Sequence, residues 1–389
     1  MEVANFLDML AKRGGSDVFL SAGAVPCMKI NGTTFHLQHE VLTSEQTRQM
    51  AYSLMSERQQ KEFEQDMEMN LALALTNVGR FRVNIYRQRG AIAIVARYIT
   101  SNIPSIETLN LPKRLEDLIM TPRGLVLVVG STGAGKSTTL ASMIDSRNAR
   151  CTGHILTIEE PIEFLHTHKQ SIVDQREIGI DTLNYANALK NAMREAPDVI
   201  LIGEIRDRET MQHAIAYAET GHLCLSTLHA NNANQTLDRI INFFPDTARH
   251  QLLIDLSLNL RAVVSQRLVR TVDHTRIPAI ELLLLTPFVA DLIANGEISG
   301  LKDAMKEGTA MGMTTFDQSL YALYASGRIS YREAIINSDS QTDLALQVRL
   351  DGPAPPEGHL DPLEMTLVGM TEPTADAAKH LSSELRLER

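Results

Sequence analysis

The stretch that decides the reading is residues 124–138, GLVLVVGSTGAGKST. Leu125–Val129 is an unbroken apolar run, the mark of a strand buried on both faces. Gly130, Ser131, Thr132, Gly133, Ala134, Gly135, Lys136 and Ser137 then fit G-x-x-x-x-G-K-[ST], Thr138 follows, and a helical pattern runs from Gly135 to Asn148. A random match somewhere in a chain of ordinary composition is expected at about 1 per cent, so a glycine turn that binds nothing is the poorer reading. Glycines let backbone N–H groups turn toward phosphate oxygens without a Cβ clash, and the start of a helix adds a favourable field. In that frame Lys136 meets the β- and γ-phosphates and the Ser137 hydroxyl ligates a metal, so ATP and Mg²⁺ are the expected cofactors.

Further short apolar runs follow at 154–158 (HILTI), 199–205 (VILIGEI) and 223–228 (LCLSTL), separated by helical stretches over 185–195 and 208–219. Buried strands alternating with helices mean βαβ units on a parallel sheet, so the fold class is α/β. From Gln235 to Gly327 the pattern reads as mostly helical. In an open parallel sheet, ligands sit beyond the carboxyl ends of the strands, and that rule sorts the polar residues. Asp198 and Glu204 bracket one strand, with ends roughly 20 Å apart, so only Glu204 can join the metal. Glu159 and Glu160 close another strand, Pro161 ends its ladder, and Glu163 lies just beyond. A carboxylate there can orient, and partly deprotonate, a water attacking the γ-phosphorus. His229 falls at the carboxyl end of its strand, where it can sense the γ-phosphate. His222 falls at the opposite end, beyond reach of the same phosphate, where packing or interface support is the alternative. A zinc site built on the two histidines is not expected, because no neighbouring ligands accompany them.

The first hundred residues read as a small α+β unit. Glu2–Lys12 is amphipathic through Phe6, Met9 and Leu10 and stops at Gly14–Gly15, and Ser44–Phe63 reads as one helix with Thr43 or Ser44 as its cap. Phe81, Val83 and Ile85 alternate with Arg80, Arg82 and Asn84 ahead of Ala91–Ile99, which predicts two antiparallel strands. The domain boundaries expected are 1–100, a linker at 101–122 holding one short helix among Pro104, Pro112 and Pro122, a nucleotide domain at 123–350, and a flexible tail at 351–389. That tail holds five of the chain's 14 prolines and half of its net charge of −10. An acidic chain of 389 residues without Trp is a poor candidate for gripping nucleic acid. Its three cysteines form no C-x-x-C pair, which excludes a disulfide framework and fits a reducing compartment. No apolar run approaches the roughly 18 residues of a membrane span, so a cytoplasmic protein is expected.

The signatures GSTGAGKST, ILTIEEPIEF, QREIG, VILIGEIRDRET and TGHLCLSTLHANNA stand in one order, joined by GGSDVFLSAG, RFRVNIYRQR and GMTTFDQSL. Together they resemble the motor ATPases of type II/IV secretion systems, the GspE/PulE family, over nearly residues 1–345. Within that family the chain is similar to the type IV pilus retraction ATPases of the PilT/PilU kind, since it lacks the four-cysteine zinc insert usual in assembly and secretion members. The resemblance implies a PAS-like N-terminal domain, a RecA-like P-loop domain with a helical C-terminal part, and a homo-hexamer in which the first domain packs on a neighbour. It implies Glu163 as the catalytic carboxylate, Glu204 as the Walker B acid, His222 and His229 as the His box, and Arg80, Arg82 or Arg97 as the arginine reaching the nucleotide. Where the family often reads Glu-Asp-Pro, this chain has Glu159-Glu160-Pro161. Where independent retraction motors carry AIRNLIREGK, it reads VADLIANGE at 289–297, without either arginine and with Asp291 and Ala294. With the acidic tail, this favours the PilU-like accessory branch.

The function expected is an ATP-hydrolysing hexameric motor that drives or assists pilus retraction, peripheral at the cytoplasmic face of the inner membrane. Its expected partners are a PilT-like ATPase and the inner-membrane pilus platform protein. The rivals are a hexameric nucleic-acid motor, which the net charge of −10 opposes, and a nucleotide-binding subunit that chiefly docks on a partner motor.

Overall fold

The structure, a computed structural model, describes residues 3–30, 32–37, 40–76 and 78–351; the expected tail, from residue 352 on, lies outside the described residues. Helix α1 (Val3–Lys12) lays Val3, Phe6, Leu7 and Leu10 on one side, where the period of 3.6 residues puts them together. Three short strands follow, β1 (Asp17–Ser21), β2 (Cys27–Ile30) and β3 (Thr33–His36). The single helix expected over 44–63 is two helices, α2 (Ser44–Leu54) and α3 (Glu57–Asp66). The cause is local: the Ser56 hydroxyl accepts the Gln59 N–H while the Gln59 side chain accepts the Ser56 N–H. That reciprocal capping box starts a new helix and leaves Met55 extended.

Strands β4 (Glu68–Leu75), β5 (Gly79–Gln88) and β6 (Ala91–Ile99) complete an antiparallel sheet of six, in the order β3-β2-β1-β6-β5-β4. The alternation in β5 works as expected: Phe81, Val83 and Ile85 are fully buried, and Arg80, Arg82 and Asn84 take the other face. Across that face Arg82 stands opposite Arg97, and Arg97 opposite Asp17. Helix α4 (Arg114–Ile119) is the short helix expected between 101 and 122. Its segment is packed: Ile106, Leu111, Leu115, Leu118 and Ile119 all enter the core of the second sheet.

That sheet takes β7 (Gly124–Val129), α5 (Lys136–Asn148), β8 (Gly153–Glu159), β9 (Ser171–Glu177), α6 (Tyr185–Ala192), β10 (Val199–Ile202), α7 (Arg208–Glu219) and β11 (Leu223–Leu228) in turn. Helices α8 (Ala233–Asn242) and α9 (Asp246–Asn259) lead into two long strands, β12 (Leu260–Arg270) and β13 (Arg276–Leu284). The spatial order is β13-β12-β7-β11-β10-β8-β9, parallel except for β13. The hairpin corrects the expectation of a mostly helical segment from Gln235: Ala262, Val263 and Val264 are buried in succession, because β12 lies inside the sheet beside β7. Helices α10 (Pro287–Ala294), α11 (Leu301–Glu307), α12 (Phe316–Ala325), α13 (Tyr331–Asn337) and α14 (Gln341–Asp351) complete the described residues, and α12–α14 form a small cluster of their own on β12 and β13 around Phe316, Leu320 and Leu344. Among the described residues no helix is long and apolar enough to cross a membrane.

Candidate nucleotide site

The carboxyl ends of β7, β8, β10 and β11 open into one cavity of about 780 Å³. Lys136, Ser137, Glu159, Glu163, Glu204 and His229 all line it, so one concavity gathers the phosphate loop, these three acids and the His229 imidazole read from the sequence. Thr132, Gly133, Gly135 and Thr138 line it too, while Gly130 and Ser131 line an adjoining cavity that shares His229, and Ala134 is buried.

The loop can turn only because of its glycines. Gly130 has φ +153°, and a Cβ there would lie 2.5 Å from the Gln266 carbonyl oxygen of β12. Gly135, at φ +89°, forms the left-handed entry into α5, and the Thr139 hydroxyl donates to Gln266 Oε1 at 2.7 Å, tying the helix to the same strand. Lys136 Nζ donates to the carbonyls of Gly130 at 2.9 Å and Ser131 at 3.0 Å. Burial lowers its pKa, and Glu204 opposes that shift.

Glu204 follows β10 and is held from two directions. Arg206 Nε donates to its Oε2 at 2.7 Å, and His229 Nε2 lies 3.2 Å from its Oε1. Burial, then Lys136, pushes the His229 pKa down, which favours the neutral ring beside Glu204. Arg206 also donates to Glu160 Oε2 at 2.7 Å, so one guanidinium links Glu204 to Glu160, which lines the same cavity.

The loop from Glu160 to His166 carries Glu163, whose side chain is exposed to the cavity. Its base is Glu159, which accepts the Thr157 hydroxyl at 2.7 Å, the Gln175 amide at 3.3 Å and the Glu163 N–H. Burial pushes the Glu159 carboxyl up to about 7. Gln175 of β9 also donates to the Phe164 carbonyl at 2.9 Å and accepts the His166 N–H at 2.8 Å. Tyr185 and Arg276, which line the cavity, and Gln175 and Arg206, which brace it, were not among the residues named from sequence; Gln175 opens the motif QREIG and Arg206 stands in GEIRDRET, two residues after Glu204, and those were the available signals.

Four predicted site residues lie elsewhere within the chain. His222 precedes β11, at the opposite end from His229, with Nδ1 3.1 Å from the Thr220 hydroxyl and 3.2 Å from the Tyr217 carbonyl. Six strand residues separate it from the cavity, roughly 20 Å at about 3.3 Å each. Arg97 donates to Asp17 at 2.7 Å, and Arg80 lies 3.8 Å from Glu177. Arg82 sits in the same row as Arg97, and none of these arginines lines the cavity, because the polar face of the six-stranded sheet holds them.

Comparison with known proteins places the chain. The family described as type II/IV secretion system protein matches residues 3–310. A type IV pilus ATPase of Pseudomonas aeruginosa, PilU, is 52% identical over 351 residues, 90% of this chain and 92% of that protein. The type IV pilus retractation ATPase PilT of the same organism is 40% identical, over 86% of this chain and 97% of that one. Among solved structures, the pilus retraction motor PilT with bound ADP superposes with a TM-score of 0.82 at 38% identity, covering 88% of this chain and 98% of the other.

Proposed function

The chain belongs to the type II/IV secretion system protein family, and on that premise we propose that it is an ATP-hydrolysing motor that drives or assists type IV pilus retraction, as a PilU-like accessory member. The observation that carries this reading is the meeting of Lys136, Ser137, Glu204 and Glu163 in one cavity at the carboxyl edge of a parallel sheet. A hydroxyl and a carboxylate are hard oxygen donors, the set that suits Mg²⁺ completed by phosphate and water, so Ser137 and Glu204 would hold it. When bound, Mg²⁺ neutralises charge on the β- and γ-phosphates.

The chain's own groups do the rest. Nζ of Lys136 leaves the Gly130 and Ser131 carbonyls for the phosphates, and the amides of 130–138 cradle them. Glu163 orients the attacking water and takes up its proton. The His229 ring, beside Glu204 on the cavity wall, senses whether a γ-phosphate is present. Closure and reopening of the two sheets around the nucleotide would supply the mechanical stroke. A homo-hexamer, a PilT-like partner ATPase, the pilus platform protein and a place at the cytoplasmic face of the inner membrane belong to the same proposal. Asp291 and Ala294 of α10, where independent motors carry arginines, favour dependence on that partner.

ATPase measurements on purified protein test the core of this. Lys136→Ala and Glu163→Gln are each expected to lower kcat by about 10²-fold or more. Wild-type rates in both variants would remove the assignment. Scoring retraction with a Lys136→Ala copy, alone and beside an active partner motor, separates a working motor from a docking subunit.

A further inference from the structure

The loop that carries Glu163 is held from outside its own sheet. Glu177, the last residue of β9, stands beside Glu159 in the strand register and is 3% exposed. Its carboxylate meets the N–H of Ile162, the residue before Glu163, and its Oε2 has no hydrogen-bond partner. The cation facing that oxygen belongs to the six-stranded sheet: the Arg80 guanidinium, 3.8 Å away and 24% exposed, with Arg82 adding a weaker field. A second contact binds the other end of the same loop, where the Leu165 N–H donates to the Thr100 carbonyl at 3.1 Å and Thr100 bridges Phe164. Thr100 directly follows β6, and Arg80 pairs in register with Ile99 at that strand's end. Both ends of the Glu163 loop are therefore fastened at one corner of the N-terminal sheet of the same chain.

We propose that Arg80 is a positioning residue for Glu163, acting inside its own chain through Glu177 rather than by touching nucleotide. A buried carboxylate without its counter-charge favours the neutral form, and burial does raise the Glu177 pKa while Arg80 opposes the rise. With Arg80 in place the charged carboxylate holds the Ile162 amide, and the next residue keeps its aim at the water. Withdrawal of the N-terminal sheet removes that charge and leaves the loop to relax.

The inference rests on the ATPase reading above, and a double-mutant cycle in the full-length chain tests it separately. Arg80→Ala is expected to lower kcat roughly tenfold with KM for MgATP within about twofold, and Arg80→Lys to restore most of the loss. Glu177→Gln keeps an oxygen for the Ile162 N–H and loses the charge, so it should behave like Arg80→Ala. The decisive arm is the double variant: added to Glu177→Gln, Arg80→Ala should cost little more. An equal loss from Arg80→Ala in both backgrounds would show that Arg80 works independently of Glu177 and would overturn the proposal, as would an unchanged kcat. A wild-type protein without Lys136-dependent hydrolysis would instead sink the ATPase reading, so the two failures are distinguishable.

Discussion

At Gly130 one methyl group would close the turn into the phosphate loop, since the Gln266 carbonyl oxygen leaves 2.5 Å for a Cβ and φ is +153°. Gly130→Ala is therefore expected to weaken MgADP binding roughly tenfold or more, measured by titration calorimetry. Unaltered affinity would mean that the loop does not form its cradle from this backbone. Lys136, Ser137 and Glu163 could be named from sequence because each stands at a fixed short distance from a strand end, and a strand end is visible as the close of an apolar run. Gln175 and Arg206 could not. Gln175 matters because β9 happens to lie beside β8, and Arg206 because β8 and β10 are neighbours, so that one guanidinium spans Glu204 and Glu160. Spatial strand order of that kind leaves no mark on local spacing. The same holds for Arg80, whose alternation with Phe81 fixed its face and said nothing of Glu177 across from it.

Among elements, the hairpin of β12 and β13 was the largest departure from expectation, and Glu281 on β13 explains part of its hold. Its carboxylate accepts the Ala233 N–H at the start of α8 at 2.7 Å and the Ser265 hydroxyl of β12 at 3.0 Å, joining three elements at one buried point. Burial lifts its pKa from 4.5 to about 6. A carboxyl whose folded pKa is raised costs nothing below its unfolded value, and its penalty grows as pH climbs from about 4.5 through 6, then stays constant. Glu281→Gln keeps the acceptor oxygen, so it should gain at most about 2 kcal/mol above pH 6 and almost nothing at pH 4. Denaturant melts at the two pH values measure the difference, and an equal effect at both would refute the account. The split of α2 from α3 has a comparably local cause. Ser56→Ala should cost about 1 kcal/mol by removing the cap, read from the same melts. Apolar periodicity ran straight through Met55 and hid a break that one hydroxyl makes.

For the molecule as a whole, the buried side chains fall into separate groups. Val3 to Ala96 form one core around the six-stranded sheet, and Ile106 to Met313 form another around the seven-stranded sheet. Calorimetry should accordingly resolve two unfolding transitions, with saturating MgADP raising the one that belongs to the seven-stranded sheet by several degrees and leaving the other nearly in place. A single transition that moves as a unit would contradict this. The alternation of strands and helices made the second core legible from sequence, whereas the first was only half legible because β1, β2 and β3 are four or five residues long and too short to show a period. Thr100 adds a consequence of its own. It holds the loop carrying Glu163 one residue after β6 ends, so no slack chain separates the front lobe from the loop proposed to orient the water. A linkage without backlash cannot let the lobe idle: any swing beyond the reach of one hydrogen bond must either drag the carboxylate along or release it. Misalignment of the lobes would then quench turnover in that subunit before fuel is wasted.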